Sequence, residues 1–279
     1  MTARVPAEQE QAIIEAYLAG GTTTEVGSRF GYSGPTVSAI LKRYGIKART
    51  NSETHRRFAI NDAFFDIVDT EEKAYWLGFI SADGTIIRNR IVLSLQLRDK
   101  EHLHKFTKSL ASEHPIRVKY IRGNGKVYSA ARVGVESRYM VETLRTLGIG
   151  ERKSLVIKPC AHIPEQLMRH YWRGVVDGDG SIYFSKRNKI WVVGVAGSFP
   201  MISGFVEFIN PYIVSKAKIN SVGKIFTVVY GGNELPKTIL SVLYNECTIY
   251  LDRKKALADH ILGHRQLSLA TVDGSQEAS

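Results

Sequence analysis

Two aspartates, Asp83 and Asp179, occupy the same place in two near-copies of one segment, AYWLGFISADGTIIR at 74–88 and HYWRGVVDGDGSIYF at 170–184. At an offset of 96 residues, Tyr75, Trp76, Gly78, Asp83, Gly84 and Ile86 meet Tyr171, Trp172, Gly174, Asp179, Gly180 and Ile182. Each stretch reads as the end of a helix with small residues four apart, Gly78 and Ala82 in one, Gly174 and Gly178 in the other. Two such faces let backbones approach closely, and packing about a pseudo-twofold axis brings Asp83 and Asp179 to adjacent helix C-termini. A carboxylate there opposes the helix dipole, and a second one beside it adds repulsion. The arrangement is destabilising unless a cation neutralises it. A hard divalent ion such as Mg²⁺, which takes carboxylate, carbonyl and water oxygens, suits that chemistry.

Asp177 is the weaker candidate, because Ser81 stands at its place in the first copy. A calcium loop counted from Asp177 fails on spacing: it needs glycine where Ile182 stands and a bidentate glutamate where Asn188 stands. A glycine-rich helix cap with incidental acids accounts for one copy and poorly for both.

The elements that must hold these aspartates repeat with them. After the first copy come strand-like alternation in 85–98, a helix near 99–111, a hairpin at 115–134 turning at Gly123–Asn124–Gly125, and a helix at 136–147. After the second come strands in 181–198, a helix near 200–210, a hairpin at 213–231 and a helix at 234–245. The expected class is α+β, a tandem duplication of about a hundred residues per copy, too long and too few in copy for a solenoid.

Ahead of the duplication the spacing predicts three short helices. Ile13, Ile14, Tyr17 and Leu18 mark the first; Thr22 to Thr24 cap a second ending at Phe30; Ser33 caps a third, with Pro35 in its first turn and Val37, Ile40 and Leu41 facing inward. A generic three-helix unit and a DNA-binding helix-turn-helix fit this layout about equally. The basic exit KRYGIKART shifts the balance toward DNA. On that reading Thr36, Ser38, Lys42, Arg43, Lys47 and Arg49 face the nucleic acid, and the polar, basic stretch 47–58 is a linker able to lie along phosphates. The expected organisation is a helix-turn-helix domain at 1–46, a basic linker at 47–69, two halves at 70–156 and 157–265, and a disordered tail at 266–279.

The net charge is +11, with 44% apolar residues and 10% aromatic ones, which together favour a packed protein with a polyanionic partner. From 181 to 233 the only acid is Glu207, and from 115 to 135 there is none. Basic strands on a less basic helical layer fit a nucleic-acid-binding sheet. Cys160 and Cys247 have no metal-ligand spacing and fit a reduced compartment. The N-terminus has no signal-peptide core and no apolar run reaches about 18 residues. A soluble cytoplasmic or nucleoid-associated protein with no membrane partner is expected.

The two segments resemble the LAGLIDADG homing endonucleases in their single-chain, two-motif form. The final acid of the motif falls on Asp83 and Asp179, and the first copy departs at the earlier acid, Ser81. The resemblance covers roughly residues 70–260 and extends to GIGERKSLVI at 148–157 and YLDRKKAL at 250–257, which place Lys153 70 residues after Asp83 and Lys254 75 after Asp179. It implies two αββαββα halves whose antiparallel sheets form a saddle over double-stranded DNA in a monomer with internal pseudosymmetry. It implies Mg²⁺ or Mn²⁺ held by Asp83 and Asp179 with Ala82 and Gly178 beside them, Ca²⁺ binding without cleavage, and Lys153 and Lys254 offsetting charge on the transition-state phosphate. The function implied is site-specific, double-strand cleavage by an endonuclease of a mobile genetic element.

The base and phosphate readers expected on the alternating strands are Arg88, Arg90, Gln96, Arg98, Arg117, Lys119 and Arg132 in the first half. In the second they are Lys186, Arg187, Lys189, Lys216, Lys218 and Lys224. Because the hairpins of the two halves differ, the target is expected to be asymmetric. A non-catalytic DNA-binding regulator and an intron RNA maturase are the rival readings; the retained carboxylates favour the nuclease. An intein is disfavoured, since Met1 stands where a nucleophile is needed and DGSQEAS lacks a His-Asn ending.

Overall fold

The computed structural model describes residues 5–48, 58–123, 126–151, 153–160, 162–214 and 218–264. The chain divides into two compact units, Met1–Phe58 and Ala59–Ser279.

Among its described residues the first unit holds three helices: α1 (Ala7–Leu18), α2 (Thr23–Phe30) and α3 (Gly34–Arg43). Thr22 starts α2 through a capping box. Its hydroxyl accepts the Glu25 N–H at 3.0 Å, and the Glu25 carboxylate accepts the Thr22 N–H at 2.8 Å. Ser33 caps α3, and Gly31 and Gly45 turn the chain in the left-handed region at φ 79° and 72°. Ile13, Ile14, Tyr17, Val26, Val37, Ile40 and Leu41 form its core. Leu18, one of the apolar residues that marked this helix, is the last residue of α1 and is 66% exposed.

The second unit repeats one plan twice. The first half runs α4 (Glu71–Asp83), β1 (Thr85–Ile87), β2 (Arg90–Gln96), α5 (Lys100–Ser109), β3 (Arg117–Gly123), β4 (Lys126–Glu136) and α6 (Arg138–Thr146). The second runs α7 (Met168–Asp179), β5 (Gly180–Ser185), β6 (Ile190–Gly197), α8 (Phe199–Ile209), β7 (Ile219–Val222), β8 (Ile225–Gly232) and α9 (Glu234–Tyr244), and is followed by α10 (Asp252–Ile261). Each half folds an antiparallel four-stranded sheet, ordered β1-β2-β4-β3 and β5-β6-β8-β7. The turn expected at Gly123–Asn124–Gly125 includes two residues outside the described ones.

Alternation within the strands decides which face meets the helices. Ile91, Leu93, Leu95, Ala131, Val133 and Val135 are buried on one side of the first sheet; Ile182, Val193, Val195, Val228 and Tyr230 are buried on one side of the second. Every residue of α4 from Ala74 to Ser81 is buried. A helix so enclosed must be apolar all round, and YWLGFI is. None of the described helices is long and apolar enough to cross a membrane.

Candidate active site

The two aspartates are positioned by the contact between α4 and α7, and glycine makes that contact possible. A Cβ added at Gly78 would lie 1.9 Å from the Tyr171 carbonyl oxygen, and one at Gly174 would lie 2.1 Å from the Tyr75 carbonyl oxygen. Tyr75 and Tyr171 are equivalent residues of the two copies, so the contact is reciprocal, as a pseudo-twofold axis requires. Nearer the helix ends, a Cβ at Gly178 would meet the Ala82 Cβ at 2.4 Å and stand 3.5 Å from the Asp83 carboxyl carbon. The Asp83 carboxylate therefore lies against the last turn of α7, the turn that ends in Asp179.

Partial loss of surrounding water dominates the electrostatics of the pair, although Asp83 is only half-buried and Asp179 stays open to solvent. It raises the Asp83 carboxyl above the usual range, against the pull of Lys254 and Lys153. Asp179 is pushed up to about 6, first by desolvation and then by the Asp83 charge, with both lysines opposing. Desolvation thus disfavours ionisation of both acids, and the charge of Asp83 further disfavours that of Asp179.

The two lysines close the helix ends from which these acids hang. Lys153 Nζ donates to the carbonyls of Ser81 at 2.6 Å and Ala82 at 2.9 Å. Lys254 Nζ donates to Val176 at 2.6 Å, Asp177 at 2.8 Å and Gly180 at 2.6 Å, with Gly178 at 3.5 Å. A cation at a helix C-terminus satisfies orphan carbonyls and opposes the dipole. Both lysines are buried, and burial pulls each down to about 8. The three close acceptors use the three hydrogens of Lys254, which leaves its charge but no free donor. The resemblance implied charge-offsetting lysines here; the geometry makes each a helix cap.

The donor atoms around the aspartates are all oxygen, which fits a hard divalent cation. Ala82 O keeps a lone pair beyond its Lys153 bond, and Gly178 O has only the long Lys254 contact. Among the described residues no group of three or more His, Cys, Asp or Glu side chains could hold a metal. A cation here would need both carboxylates together with backbone and water oxygens.

Asp177 is differently employed. It is 1% exposed and accepts from Tyr75 Oη at 2.7 Å, Tyr244 Oη at 2.5 Å and the Leu251 N–H at 2.7 Å. Ser81, its counterpart, accepts from Tyr171 Oη at 3.3 Å. The acid thus joins α4, α9 and the start of α10 internally. Next to it Arg173, fully buried, donates to Ile249 O and Leu243 O, each at 2.9 Å, and pairs with Glu71 at 2.6 Å. Sequence reasoning missed this network. Its signal was Arg173 standing where the first copy has Leu77: a charge inside an apolar helix needs partners.

The expected nucleic-acid readers divide by half. In the first sheet the helix-free face carries Arg90, Gln96, Arg117, Lys119 and Arg132, since Ser94, Arg132 and Arg117 sit opposite one another across β2, β4 and β3. Arg90 pairs with Glu136 at 2.7 Å, Arg88 lies in the β1–β2 turn, and Arg98 lies in the single turn after β2. In the second half the expectation of basic residues at alternating strand positions is wrong. Lys186, Arg187 and Lys189 lie in the β5–β6 turn, Lys224 in the β7–β8 turn, and Lys218 just before β7, while the strand positions themselves are uncharged. Lys216 falls outside the described residues. In the first unit Lys42 and Lys47 are exposed, and Thr36 and Ser38 are half-buried. Arg43 is turned back onto buried Glu10, so it is not the free basic exit expected, and Arg49 lies outside the described residues.

No protein-family model matches the sequence, and no curated protein matches it. Solved structures do. The homing endonuclease I-WcaI bound to its DNA recognition sequence aligns at a TM-score of 0.52 and 12% identity, over 77% of this chain and 97% of that one. The LAGLIDADG meganuclease I-AabMI bound to uncleaved DNA aligns at 0.45 and 11%, over 72% and 96%. Full-length DUF199/WhiA from Thermatoga maritima aligns at 0.46 and 17%, over 75% of this chain and 66% of that one. At these identities the likeness concerns the fold, which is LAGLIDADG-like, with two antiparallel four-stranded sheets in αββαββα repeats.

Proposed function

We propose that this protein is a site-specific DNA endonuclease that hydrolyses one phosphodiester bond in each strand of a long, asymmetric duplex target. The observation that carries the reading is the pair of carboxylates, half-buried Asp83 and solvent-open Asp179, at the abutting ends of α4 and α7. Each carboxyl is raised by desolvation, and the charge of Asp83 raises Asp179 further. A fold has no stability reason to place two acids there, and a cation between them removes the conflict. Mg²⁺ or Mn²⁺ held by Asp83, Asp179 and the carbonyls of Ala82 and Gly178 would supply Lewis acidity toward the phosphodiester and a nucleophilic water at neutral pH.

The chain's own residues do the rest. Gly78 and Gly174 fix the spacing of the helices, and Lys153 and Lys254 hold the helix ends and their charge beneath the scissile phosphates. The sheets track the grooves, and the net charge of +11 draws the protein to a polyanion. The unit at 1–58 is read as a helix-turn-helix domain of 1–46 with a linker, adding DNA contacts, and residues 70–156 and 157–265 as the two halves of the nuclease. The experiment is selection of cleaved molecules from a randomised duplex library in Mg²⁺ and, in parallel, in Ca²⁺. Recovery of one cut site in Mg²⁺ and of bound, uncut duplex in Ca²⁺ is expected. Binding without cutting in both would replace the nuclease with a non-catalytic DNA-binding regulator.

A further inference from the structure

The two sheets offer chemically different faces to whatever lies on them. Strands β5 to β8 contain no charged residue, in contrast to β2, β3 and β4, which carry Arg90, Arg117, Lys119 and Arg132. Register decides which side chains of the second sheet turn away from the helices. Tyr183 is opposite Val192, Ala196 opposite Thr227, Thr227 opposite Asn220, and Ile225 opposite Val222. Val229, two residues from Thr227, shares that face. Tyr183, Val222, Ile225 and Val229 are 37%, 77%, 49% and 53% exposed. Four large apolar side chains thus stand on one face of a sheet whose opposite face is already the core.

Cations frame this apolar floor along the strand direction. Lys186, Arg187 and Lys189 lie in the β5–β6 turn at one end, and Lys224 lies in the β7–β8 turn at the other, where β6 and β8 begin to pair near Gly197 and Phe226. The same end approaches Asp179: Ile225, Ala196, Gly197 and Asp179 line one cleft of ≈180 Å³. An uncharged floor between cationic ends is complementary to a major groove, whose walls are phosphates and whose floor is base edges. Only one base edge in that groove is apolar, the C5-methyl of thymine.

We infer that the second half recognises an A·T-rich half-site through thymine methyl groups packed on Val229, Ile225 and their neighbours, while the first half reads its half-site through arginine and lysine hydrogen bonds. The inference rests on the duplex-DNA reading above and adds the base class and the type of contact for one half-site.

The test is the same selection run on two libraries, one synthesised with thymine and one with uracil throughout, which differ only by the C5-methyl. In the thymine library the recovered target should be A·T-rich on one side of the cut. In the uracil library, base preference on that side should collapse and binding weaken by roughly fourfold for each methyl contacted, with the preference on the other side unchanged. The Val229→Ser variant should lose preference at one position of the A·T-rich side in the thymine library and be indifferent to uracil there. Identical targets from both libraries would overturn the inference while leaving a duplex-binding protein. So would a uracil effect confined to the side that does not respond to Val229→Ser. Enrichment of no sequence in either library would instead overturn the DNA reading itself.

Discussion

Gly78 lies so close to the backbone of Tyr171 that a Cβ added to it would stand 1.9 Å from that residue's carbonyl oxygen, well inside any allowed contact. The equivalent approach of Gly174 to Tyr75 makes the helix pair a single rigid joint. What this joint positions is the ends of α4 and α7, and so the separation of Asp83 and Asp179.

Gly78→Ala should therefore be severe. The obstacle is backbone rather than a movable side chain, so the helices must separate, at a cost of about 3 kcal/mol or more. Denaturant unfolding followed by circular dichroism reads this directly. A variant as stable as the parent would mean that the helices do not pack at this distance.

Asp83→Asn and Asp179→Asn should each reduce single-turnover DNA cleavage by several orders of magnitude and leave duplex affinity nearly unchanged. Full cutting by either variant would exclude a mechanism that needs both carboxylates. In metal-free buffer each variant should also melt higher than the parent, because the repulsion between the two neighbouring acids is gone; a few degrees is expected. Mg²⁺ should raise the parent's melting temperature and not the variants'.

Lys254→Met should destabilise by on the order of 2–4 kcal/mol, since it removes the ammonium donor shared by the carbonyls of Val176, Asp177 and Gly180, of which Val176 O keeps the Gly180 N–H. Lys153→Met, which frees two carbonyls, should cost less. Equal stability of the two variants would contradict the different hydrogen-bond counts.

Acid should weaken the fold through His102. Burial holds this imidazole down to about 3 from an ordinary 6.5, and its Nε2 lies 2.9 Å from Tyr75 Oη. The depressed value means that the folded state binds the proton less readily than the unfolded one. Its contribution is complete above pH 6.5 and is lost as pH falls toward 3. His102→Gln, neutral throughout, should show a shallower loss of stability in that window, by about 1.4 kcal/mol per pH unit. Parallel stability–pH curves for parent and variant would rule this out.

Removing residues 1–58, a compact unit by itself, should weaken duplex binding and flatten its dependence on salt, with little change in the cleavage rate at saturating protein. Unchanged affinity would remove the DNA-binding role assigned to the three helices.

Much of the architecture was legible in the chain because it is local or repeated. The 3.6-residue spacing of Ile13, Ile14 and Tyr17, the caps at Thr22 and Ser33, and the alternation in Leu93, Leu95 and their partners each need only neighbouring residues. The duplication was legible because identities at an offset of 96 residues force one fold to occur twice. The small faces of Gly78 and Gly174 announced the close helix contact for the same reason.

What the sequence by itself determined is thus the elements, their order, and the pairing of Asp83 with Asp179 across a pseudo-twofold axis. The tertiary structure alone decided the partners of polar groups distant in the chain. It sent Asp177 to Tyr75, Tyr244 and Leu251 rather than to a metal, and it made Lys254 a helix cap. It turned Arg43 onto Glu10 and moved the second half's lysines from the sheet face to its turns. The reason is physical: periodicity fixes which face of an element is apolar, but a buried charge is placed by whichever donors and acceptors the packed fold brings within about 3 Å of it.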